Sequence, residues 1–515
     1  MITDLNDIPS QRFQCDICVV GTGAAGLTLA SRLLKTRKSV LFLESGGFEL
    51  EEETRDLNRC EISDLHFIGH LAGRSRVIGG ATRCWAGQLL PLEPHVFEKR
   101  PWINKSGWPF DGFELERYYK KALILFGADE RNFDTDLYEI LETEDHPFDQ
   151  SAFRFYFSKY SPHPDLRSLF MADFEASPDV KLLYHANLTR IHLSEDLNMV
   201  THLEVKNQKL TSFRIDCAKA ILCLGGIESA RMLLANNHQI AQGIGNRHGV
   251  VGKHFQDHPT LRVGILRSKD PDRVYRLFGP KQHQGRFYLG KISLVPAKQK
   301  ELALLSATAY VDVGYHPRLL EKRMLINLLK HRRSRGHVPP ATFGILFRLV
   351  LGSLSLAAQR AIVRPRDQFV VTIMTEQEPL AESAISLGNT RDRYGVPHAR
   401  IQWRLTEKTW ETVMCFARLL KEQFESTRLG TIEFLPYIEP PANLWRIYLH
   451  DMFHHMGSTR MALSPYEGVV DPNCKVFGID NLYLLSSAVF PTSGHSNPTL
   501  TIVALAHRLL DHLAL

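Results

Sequence analysis

The chain is poor in the features that mark a specialised class of protein. Its eight cysteines, at positions 15, 18, 60, 84, 217, 223, 415 and 474, follow no disulfide-framework spacing, which excludes a small stapled scaffold. Cys15-x-x-Cys18 lies along an apolar strand with no second C-x-x-C or histidine beside it. It therefore reads as core packing, and no metal is expected. Charge of either sign is equally undistinguished: 62 basic residues against 56 acidic ones leave a net +6 spread along the whole length, which argues against nucleic acid as a partner. The polar stretch from Met1 to Gln14 has no apolar h-region, so no secretory signal is expected and a cytoplasmic location fits. The longest apolar segment, Phe343 to Ile362, is broken by Arg348 and Arg360, which argues against a membrane-spanning helix.

What remains is an ordinary globular composition, 44% hydrophobic and 23% charged, over 515 residues. That length exceeds what one hydrophobic core usually supports, so two domains are expected.

The most informative stretch runs from Cys15 to Glu44. Ile17 to Val20 is an apolar strand that ends at Gly21-Thr22-Gly23-Ala24-Ala25-Gly26, and a helical pattern continues through Leu27, Ala30, Leu33 and Leu34. A second strand, Ser39 to Leu43, closes on Glu44. In such a unit Gly21 makes a tight turn, Gly23 lets backbone approach a pyrophosphate, and Gly26 packs helix on strand. The free N–H groups of Ala24 and Ala25 would face the phosphates, and Glu44 would accept from a ribose hydroxyl. The pattern predicts dinucleotide binding without separating FAD from NAD.

Further along, Gly73 to Gly87 is rich in glycine and arginine, which suits close backbone approach to a planar ligand, with arginines such as Arg74 facing phosphate charge. Val180 to Leu188, Thr201 to Val205 and Ala218 to Leu224 read as strands. The last of these runs into Gly225-Gly226 and a helix over Met232 to Ala235, so the dinucleotide unit resumes after an insertion. Trp108 to Asp111 precedes a helix through Leu115, Tyr118, Tyr119, Ala122 and Leu123, followed by a polar, aromatic-rich stretch to about residue 175. Residues 265 to 445 carry longer strands and amphipathic helices. Within them the basic run Lys330 to Arg335 and the apolar segment after it read as packing helices over 325–364, in preference to a lid or a membrane-surface helix. Near the end, Asn497 and Pro498 have the residue types of an N-cap and first helical position.

Five motifs in order resemble the glucose–methanol–choline family of FAD oxidoreductases: Gly21 to Glu44, Gly79 to Gly87, Ala220 to Arg231, Val251 to Pro259, and the C-terminal segments around His454 and Asn497. The C-terminal motifs are most similar to the pyranose oxidase and bacterial sugar 3-dehydrogenase branch. The resemblance implies an α/β fold: a discontinuous Rossmann-like FAD-binding domain over 1–95, 176–264 and 446–515, and an α+β substrate domain with a mostly antiparallel sheet over 96–175 and 265–445. Glu376-Gln377-Glu378-Pro379 with Ser386-Leu387 resembles part of that sheet.

It also implies FAD-dependent oxidation of an alcohol on a sugar, glycoside or polyol-like substrate, with His454 as the base and Asn497 beside it. A flavoenzyme lyase or isomerase, and a dehydrogenase subunit passing electrons to a protein or membrane, are the alternatives. The expected FAD contacts are Gly21, Gly23, Ala24, Ala25, Gly26, Glu44, Ser45, Arg74, Gly79, Gly80, Thr82, Cys84, Trp85, Ala86, Leu188, Gly225, Ser486, Ser487, Asn497, Pro498 and Thr499. Cys84 stands where pyranose oxidase tethers its flavin through histidine; non-covalent FAD is preferred here over a thioether. Ser486 and Ser487 replace an acid and a glycine common in relatives. His455 is placed on the substrate side, because neighbouring side chains of an extended segment face opposite ways and the motif register selects His454; His495, two residues before Asn497, is read as lining the substrate site, the alternative being a hydrogen bond to a turn. The electron acceptor, dioxygen or another, is left open.

Overall fold

The computed structural model describes residues 1–9, 11–313, 368–438 and 445–515; the segment 325–364 lies outside them. The central strand is Arg12–Val20, exposed at its start and buried at its apolar end. Val20 pairs in parallel with Leu43 of Val40–Leu43 on one side and with Leu222 of Ser212–Leu222 on the other. A strand buried on both faces reads as a continuous apolar run, which is why Ile17 to Val20 is legible as it is.

The eight-stranded sheet built on this strand runs Ile2–Asp4, Val180–Tyr184, Val40–Leu43, Arg12–Val20, Ser212–Leu222, Val200–Lys206 and Asn187–Leu193. Ser212–Leu222 divides its pairing. Its first half joins Val200–Lys206 antiparallel, whereas Ala220 to Leu222 take Leu482–Leu484 in parallel. This hands the C-terminal segment to the carboxyl ends of the parallel strands, where α/β sheets bind their ligands.

A second eight-stranded sheet is antiparallel throughout: Thr431–Phe434, Thr260–Arg267, Gln368–Thr375, Ala307–Asp312, Arg286–Leu294, Phe153–Tyr160 and Gln88–Leu89, with Pro280–His283 paired to Arg286–Leu294. A three-stranded sheet of Ala384–Arg391, Pro397–Trp403 and Cys60–Asp64 completes the set among the described residues. The α/β architecture with a large antiparallel sheet is as the resemblance implies.

Several local expectations are revised. The strand read over Val180 to Leu188 is two strands, because His185 adopts φ +53 and turns the chain between them. Its ring sits between Asp4 and Glu51, at 2.9 Å from each, and this ion-paired anchoring stabilises the turn. The helix expected over Met232 to Ala235 begins at Gly225. Two glycines weaken a helical pattern in sequence, but a Cβ on Gly226 would stand 2.0 Å from the His455 carbonyl oxygen, so close packing overrides propensity. The aromatic-rich stretch before residue 175 contains the strand Phe153–Tyr160 and the helix Arg167–Ala176. Asn497 does not cap the final helix: Thr499–His512 starts without a side-chain cap, and Asn497 is turned elsewhere.

The helix Ala24–Leu33 packs against Thr499–His512, so the first and last helices of the chain share one face of the parallel sheet. The fit is tightest at Gly26, where a Cβ would lie 2.0 Å from the Gly21 carbonyl oxygen and 3.6 Å from Val19. Gly26→Val should therefore destabilise the protein by about 1–3 kcal/mol or more. Thermal melting checks this; an unchanged midpoint would show that the helix does not seat on the turn as described.

Candidate active site

Gly21 takes φ +100, and a side chain there would strike the Cys223 carbonyl oxygen at 2.5 Å. The turn thus packs directly on the end of the next strand. Gly23 is different, because the nearest neighbour of a Cβ would be Gly80 Cα at 3.9 Å. Its small size answers to the space beside it, not to packing. That space is a cavity of about 530 Å³ bounded by Gly21, Gly23, Ala24 and Ala25, by Gly80 and Thr82 to Ala86 apart from Arg83, and by Gly225. The first N–H groups of the helix Ala24–Leu33 have no intrahelical partner and lie at this cavity.

Glu44 lines the cavity and is buried, yet its carboxylate is already engaged. Oε2 accepts from the N–H and hydroxyl of Thr22, at 2.9 and 2.6 Å, and Oε1 from Ser45 and Gly46, both at 3.2 Å. A ribose hydroxyl would share Oε1. Thr22, given no role in the sequence, is the residue through which the acid holds the turn in shape.

Arg74 also lines the cavity, but its charge is matched from within. It donates to Glu228 at 2.8 Å, while Arg76 and Arg231 meet the same carboxylate at 3.0 and 2.8 Å, and Arg231 also pairs with Asp392 at 2.6 Å. Burial pushes the Glu228 carboxyl up, but Arg231, Arg76 and Arg74 outweigh it and hold it well below the usual carboxylate range. This cluster fixes the loop 73–87 to the helix Gly225–Ala235.

The remaining expected contacts divide. Ser45, Cys84, Trp85, Ala86, Leu188, Ser486, Ser487, Pro498 and Thr499 line the same cavity. Cys84 accepts from the Ser75 hydroxyl at 3.3 Å and is exposed. Ser487 donates to the His455 carbonyl at 2.6 Å. Gly26 and Gly79 do not reach the cavity. Gly26 packs as described, and Gly79 sits in the left-handed region at φ +102 with its N–H bonded to Thr22.

Among the histidines, His454 and His455 both border the cavity, with different surroundings. The His455 ring lies among Phe67 and Phe255, and burial, with Arg74 nearby, lowers its pKa to about 3. His454 Nε2 is 3.3 Å from Asn497 Nδ2, and its Nδ1 is 2.8 Å from Nδ1 of His258. Burial, and then the nearby His258, His455 and Lys291, hold its pKa well below 6.5. His258 is likewise lowered, to about 3, by burial and His495. Two neutral imidazoles bonded through Nδ1 require one donor and one acceptor. The Asn497 amide N–H turned toward Nε2 of His454 assigns that nitrogen the lone pair and places the His454 proton on Nδ1.

His495 stands apart from the cavity lining. It is fully buried between Tyr156 Oη at 2.9 Å and Ser306 Oγ at 2.7 Å. The residues that position His454 went unassigned in the sequence, although both stand in the Val251 to Pro259 motif. They are His258, its ring partner, and Asp257, whose carboxylate accepts from the backbone N–H of Met452, His454 and His258 at 2.9, 3.0 and 2.6 Å. Burial and the nearby Asp451 push the Asp257 carboxyl up to about 7.

Free helix N–H groups, a carboxylate at the end of the second strand and a glycine free of packing demands suit a dinucleotide, and the cavity continues to a paired histidine and asparagine. The residues fit such a cofactor. Glu228→Gln should destabilise the protein by about 3–5 kcal/mol, since it leaves three guanidinium groups facing one another in a buried cluster. Chemical denaturation checks this, and a loss below about 1 kcal/mol would show that the arginines find other partners.

Residues 379–506 match the family model described as GMC oxidoreductase. The chain is 34% identical over 129 residues to a C-glycoside 3-oxidase of Arthrobacter globiformis, covering 25% of this chain and 23% of that protein. It is 24% identical over 350 residues to a 2-methyl-1,2-propanediol dehydrogenase of Mycolicibacterium austroafricanum, covering 63% and 55% respectively. With the large subunit of fructose dehydrogenase from Gluconobacter japonicus it shares 22% over 318 residues, 61% and 50% of the two chains. The matches thus span from about a quarter to a little over half of these relatives. By fold, it superposes on pyridoxine 4-oxidase from Mesorbium loti with a TM-score of 0.56 at 15% identity, covering 97% of this chain and 99% of that one. Formate oxidase from Aspergillus oryzae gives 0.58 at 15%, covering 97% and 98%. The family match thus lies in the C-terminal part of the chain, and the shared fold extends along nearly its whole length.

Proposed function

We propose that the protein oxidises an alcohol group on a sugar, glycoside or polyol-like substrate with non-covalent FAD. The observation that carries this reading is the His454–Asn497 pair at one end of the cavity whose other end is the Gly21 to Gly26 turn. Relatives named for acting on a C-glycoside, a diol and fructose support the substrate class. Residues 1–95, 176–264 and 446–515 would hold the cofactor, and 96–175 and 265–445 the substrate. No helix among the described residues is long and apolar enough to cross a membrane, and the cytoplasm remains the location proposed.

Bound FAD supplies a hydride acceptor. The protein supplies the rest. The N–H groups of Ala24 and Ala25 would hold the pyrophosphate, and Glu44 the adenosine ribose. His454 Nε2 takes the hydroxyl proton, and the Asn497 amide donates a hydrogen bond to the oxygen as negative charge develops on it. His258 orients the His454 ring through Nδ1, so that the lone pair faces outward from the pair. Helix Thr499–His512 directs the positive end of its dipole to the same place.

His454→Ala should slow anaerobic reduction of the flavin about 10²–10⁴-fold, and Asn497→Ala about 10²–10³-fold, with flavin content unchanged. Reduction at wild-type rates in the first variant would sink the assignment of the base. Turnover with the flavin remaining oxidised would select a lyase or isomerase instead. Because the His454 pKa is lowered, its basic form persists to more acid pH. The acid limb of the rate profile should therefore fall below pH 6.5; a limb at or above it would show a base in a less enclosed setting.

A further inference from the structure

The protein buries two lysines on the antiparallel sheet, and they are treated differently. Lys159 is 1% exposed and donates to the Asp129 carboxylate at 3.1 Å and to the carbonyls of Asp129 and Arg131 at 3.0 and 2.5 Å. Lys291 is 2% exposed, and among the described residues no hydrogen bond or ion pair reaches its ammonium. The ring of Tyr310 lies beside it, with its centroid 5.9 Å from Nζ. Burial alone lowers its pKa, to about 8, with no carboxylate opposing the shift.

The position of Lys291 says what it faces. Lys291 pairs directly with Tyr156 across the strands Arg286–Leu294 and Phe153–Tyr160, so the two side chains share a face. Tyr156 reaches His495, two residues before Asn497. The positive charge of Lys291 is felt at His258, His454 and His495. On its other side the row continues through Tyr310 to Thr372 and Arg262, which are paired in register. Arg262 is exposed, Tyr310 half-buried and Lys291 enclosed. The row therefore steps inward from exposed Arg262 to enclosed Lys291 and on to Tyr156, which bonds His495 behind the His454–Asn497 pair.

An unpaired buried ammonium is unfavourable unless something brings it a counter-charge. Of the acids around Tyr156 and His495, Asp134 pairs with Arg154 and Glu376 with Arg100; Glu93 meets Arg154 through Oε1, and its buried Oε2 faces His95 and His495 at 3.7 and 3.9 Å, not Lys291. Resting on the alcohol oxidation proposed above, we propose that Lys291 binds a carboxylate carried by the substrate, which makes the substrate class hydroxy acids and acidic sugars in place of neutral polyols. A single carboxylate balances one ammonium. A phosphate dianion would call for a second enclosed cation, and Arg262 is at the surface.

The test is anaerobic reduction of the holoenzyme with matched pairs: glucose and glucuronate, galactose and galacturonate, glycerol and glycerate. At least one acidic member should reduce the flavin with a rate constant over dissociation constant well above its neutral partner. Lys291→Met should weaken binding of that acid by about 30-fold or more while leaving the limiting rate and the neutral member little changed, and Lys291→Arg should restore the preference for the acid. Acetate, which carries no hydroxyl, should perturb the wild-type flavin spectrum and not that of Lys291→Met, a readout independent of turnover. Neutral members reduced as well as acidic ones, or equal losses for both in Lys291→Met, would overturn the inference and leave the oxidation standing. Binding of acetate without reduction by any alcohol would overturn the oxidation and uphold the carboxylate site. Absence of both would end the two together.

Discussion

Three backbone N–H groups from two distant segments converge on one buried carboxylate, that of Asp257. His258 belongs to the segment leading into the antiparallel sheet, and Met452 and His454 to the segment leading back to the parallel one. The Asp257 N–H is in turn received by Gln377, which also accepts from Trp403. One acceptor thus registers the two sheets against each other at the point where the histidine pair forms. A carboxylate taking several backbone donors is a strong fixture in a dry interior. The burial that strengthens it also raises its pKa, helped by Asp451.

The remaining buried charges follow the same logic of compensation. Arg100 holds Glu376 with two bonds at 2.8 and 2.6 Å, and Glu376 further accepts from Ser306 and Gly494, one residue before His495. Glu228 gathers three arginines behind the cavity. The first cluster ties the segments at Arg100 and Gly494 to the end of the strand Gln368–Thr375, and the second ties the loop 73–87, which borders the cavity, to the helix Gly225–Ala235. Lys291 stands out against this background because no described neighbour supplies it a counter-charge.

Legibility from sequence tracked the range of the interaction. The Gly21 to Gly26 turn and its strands were readable because the turn, the helix start and the acid are consecutive and each depends on local backbone chemistry. The break at His185 was hidden, since the residue holding the chain in the left-handed region is paired with Asp4 and Glu51. The helix start at Gly225 was obscured because its glycines answer to the carbonyl of His455. Asn497 has the composition of a cap, and only its approach to His454 shows that its side chain is used otherwise.

By itself the amino-acid order determined the periodicities that build the two sheet types and the dinucleotide turn, because these are written in neighbouring residues, whereas His454 and Asn497 were singled out by the family resemblance of short motifs. Tertiary structure alone decided that His258 is the partner of His454, that Arg74 spends its charge on Glu228, that His495 is held away from the cavity, and that Lys291 is enclosed with no hydrogen-bond or ion-pair partner among the described residues. Those facts rest on distances between residues far apart in the chain. Hydrogen bonds and charges act over a few ångströms of space, whatever the separation in sequence.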